Sequence, residues 1–114
     1  DFLDEHVGSI VQRFPQAKAT MLVWSQDDNF WIRRLAIDHQ LGFKRETDAD
    51  LLAQIIQNNL GSDEFFINKA IGWSLREYSK VAPDWVRDFI AAYDDELSRL
   101  SIREGLKVLK RTSV

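Results

Sequence analysis

Three stretches of this sequence align at a fixed spacing: FWIRRLA at 30–36, FFINKAI at 65–71 and SIREGL at 101–106. The alignment sets isoleucines 35 residues apart, at positions 32, 67 and 102. Each interval has room for two helices, and a repeat of that length is typical of solenoids built from stacked helix pairs. The repeat therefore predicts an all-α fold, an α-solenoid of antiparallel helix pairs (an α-α superhelix). The alternative is chance similarity among amphipathic helices, because the third copy is the weakest.

The spacing of apolar residues also favours helices throughout the chain. Apolar residues recur at intervals of three and four, and only two prolines and five glycines interrupt them. The pattern predicts helices at 2–14, 16–25, 29–43, 48–60, 63–81, 84–97 and 102–111. The expected start signals are Thr47 and Ser62 as N-caps, Pro83 in a first turn, and a capping box made by Ser101 and Glu104.

Composition limits the classes of protein that this chain can represent. Its 114 residues suit a single domain, 1–114, with one modest core. Because it has no cysteine, disulfide scaffolds, thiolate zinc sites and iron–sulfur clusters are excluded. Its two histidines, His6 and His39, are too few and too far apart for a histidine metal centre. We therefore expect no metal and no cofactor.

The uninterrupted apolar runs are only a few residues long, such as 21–24. Such runs cannot cross a bilayer, and no secretion signal precedes them, so we expect a soluble, cytoplasmic and monomeric protein that binds no membrane. The chain begins with Asp1 rather than Met, in what resembles the middle of a helix. This start indicates a piece of a longer protein.

Charge alternates along the chain in phase with the repeat. Residues 29–45, 65–81 and 99–114 carry net charges of +3, +2 and +4, and the intervening charges are −3, −5 and −4, in 1–28, 46–64 and 82–98. In a solenoid the two helices of each repeat form separate rows, so one row is expected to be basic and the other acidic. A basic row suits a polyanion, because each neutralised phosphate releases counterions. The alternative is that mixed charges only solvate the surface.

The predicted helix 63–81 carries a polar stripe opposite its apolar one. Its members are Lys69, Trp73, Arg76 and Lys80. Trp73 is turned by about 200° from Ile71, so it points away from the apolar face and lies among cations. Such an indole could stack on a base or sugar while Lys69 and Arg76 hold phosphates. The alternative is that Trp73 packs against the next repeat.

The alignment extends this stripe to other helices. Arg34 takes the place of Lys69 in the 35-residue repeat, and Arg103 is one position out of register with them. The residues expected to bind a nucleic acid are therefore Arg34, Lys69, Trp73, Arg76 and Arg103, since arginine can contact two phosphate oxygens at once.

Other conspicuous side chains have structural interpretations. Trp31 aligns with Phe66 and is expected in the core. Asp27, Asp28 and Asn29 are expected to cap the helix that follows them. Asp38 is interpreted as a solvated or salt-bridged carboxylate, and none of these residues suggests a catalytic pair.

Three longer stretches carry a family resemblance: WSQDDNFWIRRLAI at 24–37, DEFFINKAIGWSLREYSK at 63–80 and LSIREGLK at 100–107. They resemble the C-terminal half of the DNA alkylation repair family, the AlkD-like HEAT-repeat alkylpurine DNA glycosylases. The resemblance implies a HEAT-like solenoid and a base excision repair activity. That activity is hydrolysis of the N-glycosidic bond of cationic N3- or N7-alkylated purines in duplex DNA.

The resemblance also implies roles for individual residues. Trp73 matches a tryptophan that contacts the damaged nucleotide region, and Arg34 and Arg76 match arginines that bind the DNA backbone near it. Ungapped alignment puts the family's catalytic aspartate at Asp1 or directly before it, so the chain alone is not expected to be a complete enzyme. Two alternatives stay open: a catalytically silent DNA-binding HEAT protein, and a HEAT-like scaffold whose basic row docks an acidic protein.

Overall fold

The computed structural model describes residues 2–112 of the chain. This part contains eight α-helices and two short 3-10 helices, joined by turns and loops. Within that part the side chains of residues 2, 4 and 110–112 are not described. No strand occurs among the described residues, which confirms the all-α prediction. The helices are α1 Phe2–Arg13, α2 Lys18–Trp24, α3 Phe30–Asp38, α4 Ala49–Gln57, α5 Phe65–Ser79, α6 Pro83–Ala92, α7 Arg99–Gly105 and α8 Lys107–Thr112, with 3-10 helices at Pro15–Ala17 and Lys44–Glu46.

The helices stack in two rows, as an α-solenoid requires. In one row α5 lies between α3 and α7 and packs on both. In the other, α2 packs on α4, and Asn59 Nδ2 donates to the Ser25 carbonyl at 2.9 Å, joining the ends of those two helices. The three aligned stretches of sequence are therefore neighbours in space, which confirms the 35-residue repeat. We call α3, α5 and α7 the basic row, because their segments carry the positive net charges.

Two serine hydroxyls join successive helices of the basic row. Ser74 Oγ on α5 donates to the Ile37 carbonyl of α3 at 3.1 Å. Ser101 Oγ on α7 donates to the Asn68 carbonyl of α5 at 2.7 Å. Both serines are buried, and each hydroxyl proton has a backbone acceptor on the neighbouring helix.

The apolar stripe of α5 supplies the centre of the core. Ile67, Ile71 and Leu75 are completely buried, and Tyr78 at the end of the stripe is partly buried. Because this face is used up by packing, the opposite face of α5, which carries Lys69 and Trp73, is left at the surface.

A glycine allows α7 to approach α5 closely. A Cβ placed on Gly72 would lie 2.7 Å from Glu104 Cβ and 3.2 Å from the Ser101 Cα and carbonyl oxygen. Two of these three atoms belong to the α7 backbone, which cannot move aside as a flexible side chain could. Hydrogen is therefore the only side chain that fits between the two helices at this position.

The predicted N-caps of α4 and α5 are wrong. The N-cap of α4 is Asp48 rather than Thr47, because the Asp48 backbone is extended and its carboxylate accepts from the Leu51 amide at 3.1 Å. Ser62 does not cap α5. Its hydroxyl instead accepts from the Glu64 amide at 3.1 Å in the turn before that helix.

The predicted capping box at Ser101 and Glu104 is wrong. The N-cap of α7 is Ser98, whose hydroxyl accepts from the Ser101 amide at 3.0 Å. Ser101 and Glu104 lie inside α7 and are buried where this helix packs on α5. Their spacing therefore reflects one buried face of α7 and not a helix start. The single predicted helix 102–111 is divided at Leu106 into α7 and α8.

Candidate functional site

A groove runs between α3 and α5 on the surface of the basic row. Its volume is about 290 Å³, and its lining consists of Arg34, Asp38, Phe65, Phe66, Lys69, Ala70 and Trp73. Three of the five predicted DNA-binding residues line it: Arg34, Lys69 and Trp73. Arg34 and Lys69 lie one repeat apart in the sequence. Their charges come together because α3 packs on α5. We call this feature the α3–α5 groove.

Trp73 is an exposed member of the groove lining. Its side chain is 47% exposed. Among the described side chains it forms no pair with another aromatic ring, and no cation lies over it. The prediction that Trp73 points away from the apolar face is confirmed, and its indole is available to a flat or cationic ligand.

Three more aromatic side chains, Trp31, Phe65 and Phe66, lie together at the surface beside Trp73; we call them the aromatic cluster. The Trp31 and Phe66 ring centres are 5.3 Å apart, and those of Phe65 and Phe66 are 5.4 Å apart. The prediction that Trp31 lies in the core is wrong, since its side chain is 50% exposed. Trp31 and Phe66 are equivalent positions of successive repeats, and stacking places both on the exposed side of the row.

Two cations lie over the aromatic cluster. The Arg34 guanidinium carbon is 5.7 Å from the Trp31 ring centre, and Lys69 Nζ is 5.6 Å from that of Phe65. Such cation–π contacts hold long side chains near one position while their charge still reaches solvent. Positive charge and exposed aromatic surface are thus combined in one place.

Phe65 and Phe66 were not predicted as site residues. One signal could have identified them: an aromatic pair begins both aligned helices, at 30–31 and at 65–66. A repeated pair at the first turn of stacked helices places four rings close together, and they cannot all be covered by a neighbouring helix.

Asp38 is the acidic residue of the groove lining. It is only 4% exposed, and its Oδ2 lies 3.3 Å from Nε of Arg34, one helical turn earlier. Of the two sequence interpretations, a solvated or a salt-bridged carboxylate, the second is confirmed.

A second group of charges lies where α5 meets α7. Lys107 Nζ lies 3.3 Å and 3.1 Å from the two carboxylate oxygens of Glu104, and this hydrogen bond, with the nearby charges of Arg76 and Lys69, holds the pKa of Glu104 below its ordinary value. Arg76 is partly buried, and its Nε has no hydrogen-bond partner among the described residues. Neither Arg76 nor the exposed Arg103 is part of the groove lining.

Three other sequence predictions concern the catalytic residue, metal binding and the membrane. Asp1, the candidate catalytic residue, lies outside the described residues. Among the described side chains, no three His, Cys, Asp or Glu residues are close enough together to bind a metal ion. The described helices also include none with the length and apolar character needed to span a membrane.

Comparison with known proteins identifies one family, from a sequence-family match and from a solved structure. The sequence family described as DNA alkylation repair enzyme matches residues 1–109. A solved structure described as a predicted DNA alkylation repair enzyme from Enterococcus faecalis is 42% identical, with a TM-score of 0.81 over 92% of this chain and 49% of that chain. The chain thus spans about half the length of that structure. No curated protein matches it.

Proposed function

Because the chain belongs to the DNA alkylation repair enzyme family, we propose that its basic row binds duplex DNA during excision of alkylated purines. The observation that carries this proposal is the α3–α5 groove, which combines Arg34 and Lys69 with the open ring of Trp73. Cations at this spacing suit phosphates, and an exposed indole suits a base or sugar. Arg76 and Arg103 lie on the same row and are proposed to contact the DNA phosphate backbone outside the groove.

The reaction proposed for the whole protein is hydrolysis of the N-glycosidic bond of an N3- or N7-alkylated purine. Alkylation makes the base cationic, so it leaves with the bonding electron pair as a neutral purine while the sugar becomes oxocarbenium-like. Water then adds to C1′ and releases a proton. Aromatic faces attract the cationic base, and a carboxylate stabilises the positive sugar. Asp1, or the residue directly before it, is proposed to supply that carboxylate.

Residues 1–114 act in this proposal as one HEAT-like domain that corresponds to about half of the longer relative. The chain needs no metal or other cofactor for this chemistry, because the leaving group is already activated by its charge.

Fluorescence anisotropy tests the proposal. Labelled duplexes with and without one N7-methylguanine are titrated with the protein over a salt series. Each phosphate contact contributes about 0.9 to the slope of log affinity against log salt concentration. We expect Arg76→Ala to weaken binding to both duplexes and to lower the slope by about that amount.

Arg87→Ala is the matched control. Arg87 is an exposed arginine on α6, outside the basic row, and it pairs with Asp84 at 3.3 Å. It carries the same charge as Arg76, so equal losses from the two variants would contradict a DNA contact specific to the basic row. Thermal melts of both variants confirm that they are folded.

The same titrations separate the alternatives. Binding to an acidic peptide with no affinity for duplex DNA would identify a scaffold. Tight binding to methylated DNA without base release, by this chain and by a version extended at its N-terminus, would identify a silent DNA binder.

A further inference from the structure

We propose that Asp38 is a positioning residue, which orients the Arg34 guanidinium so that its two terminal nitrogens face a DNA phosphate. This inference rests on the proposed function and deepens it. It assigns a role to Asp38, the one negatively charged side chain among the described residues of the groove lining. A surface that only attracted anions would have no carboxylate there.

The geometry of Arg34 supports this role. Nε, the inner nitrogen of the guanidinium, lies 3.3 Å from Asp38 Oδ2, and the guanidinium carbon lies 5.7 Å from the Trp31 ring centre. These two contacts constrain the side chain from two directions. The terminal nitrogens have no hydrogen-bond partner among the described residues, so their donors are free for the oxygens of a phosphate.

The burial of Asp38 supports positioning over simple charge neutralisation. The Asp38 side chain is 6% exposed, whereas the Arg34 side chain is 34% exposed. The carboxylate is therefore held below the surface and the guanidinium above it. Immobilising one long side chain on binding lowers affinity by about two- to tenfold. An arginine that is already ordered before DNA binds avoids part of this loss.

The sign of a neutralising substitution distinguishes this role from ordinary electrostatics. Asp38→Asn removes a negative charge close to bound DNA, and charge alone would make the variant bind more tightly. If Asp38 acts by orienting Arg34, the same substitution weakens binding instead. The two interpretations thus predict opposite changes in affinity.

The experiment measures anisotropy on an undamaged duplex for wild type, Asp38→Asn, Arg34→Lys and the double variant, over the same salt series. We expect Asp38→Asn to bind about three- to tenfold more weakly and to lose about 0.9 of salt slope. Arg34→Lys keeps the charge but lacks Nε, so we expect a similar loss. Asp38→Asn should add no further loss in the Arg34→Lys background.

Asp84→Asn provides the matched control. Asp84 pairs with Arg87 at the same distance of 3.3 Å, but on α6 and with its side chain 93% exposed. This variant makes the same charge change away from the groove, and we expect wild-type affinity within about twofold. Melting temperatures are compared so that all titrations are made on folded protein.

Each outcome bears on one statement. Wild-type or tighter binding by Asp38→Asn, or wild-type binding by Arg34→Lys, would overturn the positioning role and leave the proposed function standing. If Asp38→Asn does not fold, the Arg34→Lys result decides alone. No binding of DNA by the wild-type chain at low salt would overturn the proposed function, and the role of Asp38 with it.

Discussion

Two tryptophans of the basic row have different surroundings at the level of single residues. Trp31 contacts Phe30 and Phe66 and lies under the Arg34 guanidinium. Trp73 has no such ring or cation partner among the described residues, although it is almost equally exposed. Trp31 therefore lies against the Arg34 guanidinium, whereas the exposed Trp73 indole is proposed to contact a ligand.

This difference predicts distinct effects of substitution. Trp73→Ala should reduce the preference for the N7-methylguanine duplex over the undamaged one by about 1 kcal/mol, the lower end of what one base–aromatic stack contributes. Trp31→Ala should weaken binding to both duplexes alike. Trp31 supports Arg34, which in the proposal contacts the DNA backbone and not the base. Anisotropy titrations of the two variants give these ratios. An equal loss on both duplexes for Trp73→Ala contradicts a role in recognising the damaged base.

His39 illustrates how burial fixes a protonation state. Its side chain is 1% exposed, and its Nδ1 lies 2.6 Å from the Ala36 carbonyl oxygen. A carbonyl only accepts, so Nδ1 carries the proton and Nε2 is an unprotonated acceptor. Nε2 is buried with no partner among the described residues. Burial, opposed by the hydrogen bond to Ala36, lowers the pKa of His39 below its ordinary value of 6.5.

The lowered pKa predicts a loss of stability in mild acid. The unfolded chain takes up a proton as the pH falls through about 6.5, while the folded chain keeps His39 neutral, so protons favour unfolding. The free energy of unfolding should be fully retained above that pH and should fall below it. In His39→Gln this dependence should be flatter between about pH 7.5 and 5.5.

Urea denaturation at several pH values measures this slope, which is informative even if His39→Gln is less stable at every pH. His6→Gln, on the exposed part of α1, controls for the loss of a histidine. If the free energy of unfolding of His39→Gln depends on pH as steeply as that of the wild type, other groups cause the pH dependence.

At the scale of elements, the contact of α5 with α7 depends on Gly72. Alanine has the higher helix propensity by about 1 kcal/mol, so propensity alone predicts that Gly72→Ala stabilises the protein. The space between the helices predicts the opposite, because a Cβ would meet the α7 backbone at Ser101.

We expect Gly72→Ala to lower the free energy of unfolding by about 1–3 kcal/mol, the usual cost of overpacking. Gly105→Ala is the matched comparison, since a Cβ there would lie 3.2 Å from Ile90 Cδ1 and Leu75 Cβ, and none of the three nearest atoms belongs to the backbone. It should therefore be the milder change. Urea denaturation of both variants tests the order, and a Gly72→Ala protein at least as stable as wild type would contradict it.

The limits of sequence prediction also lie mainly at the scale of elements. The apolar stripe of α5 and the first-turn position of Pro83 were predicted correctly, because spacing and proline chemistry act locally. The capping box at Ser101 was not, because a serine that caps a helix and one that bonds to a neighbouring helix look alike in sequence. Trp31 was misplaced for a related reason: an aromatic residue in an amphipathic helix faces the core in most cases, and here the next repeat leaves it uncovered.

For the whole molecule, the distribution of charge matters more than its sum. The net charge is −3, yet Arg34 and Lys69 are concentrated at one groove. The repeat and its alternating charge predicted this juxtaposition, and the stacking of α3 on α5 confirms it. The distances within the groove, and the inclusion of Asp38, depend on how two helices pack, which one sequence does not specify.

This distribution predicts a marked asymmetry between the rows. Replacing Asp94 and Asp95 by asparagine changes the net charge from −3 to −1, but these exposed residues follow α6 and line no part of the groove. Because charges are screened over about 10 Å at 0.1 M salt, DNA affinity should rise by less than about twofold. Arg34→Gln combined with Lys69→Gln changes the net charge by two in the opposite direction. This double variant should lower DNA affinity more than about tenfold.

Anisotropy at one fixed salt concentration compares the two double variants. Effects of equal size and opposite sign would mean that net charge alone governs binding, and that the groove has no special role.

The position of α5 in the middle of its row has a consequence for local unfolding. In a stack where each helix contacts only its neighbours, opening begins at the ends and reaches the middle last. α5 is flanked by α3 and α7 and also touches α6 and α8. Its amide hydrogens should therefore exchange most slowly with solvent, and a ligand held by Lys69 and Trp73 is attached to the most persistent helix of the stack while both ends continue to fluctuate.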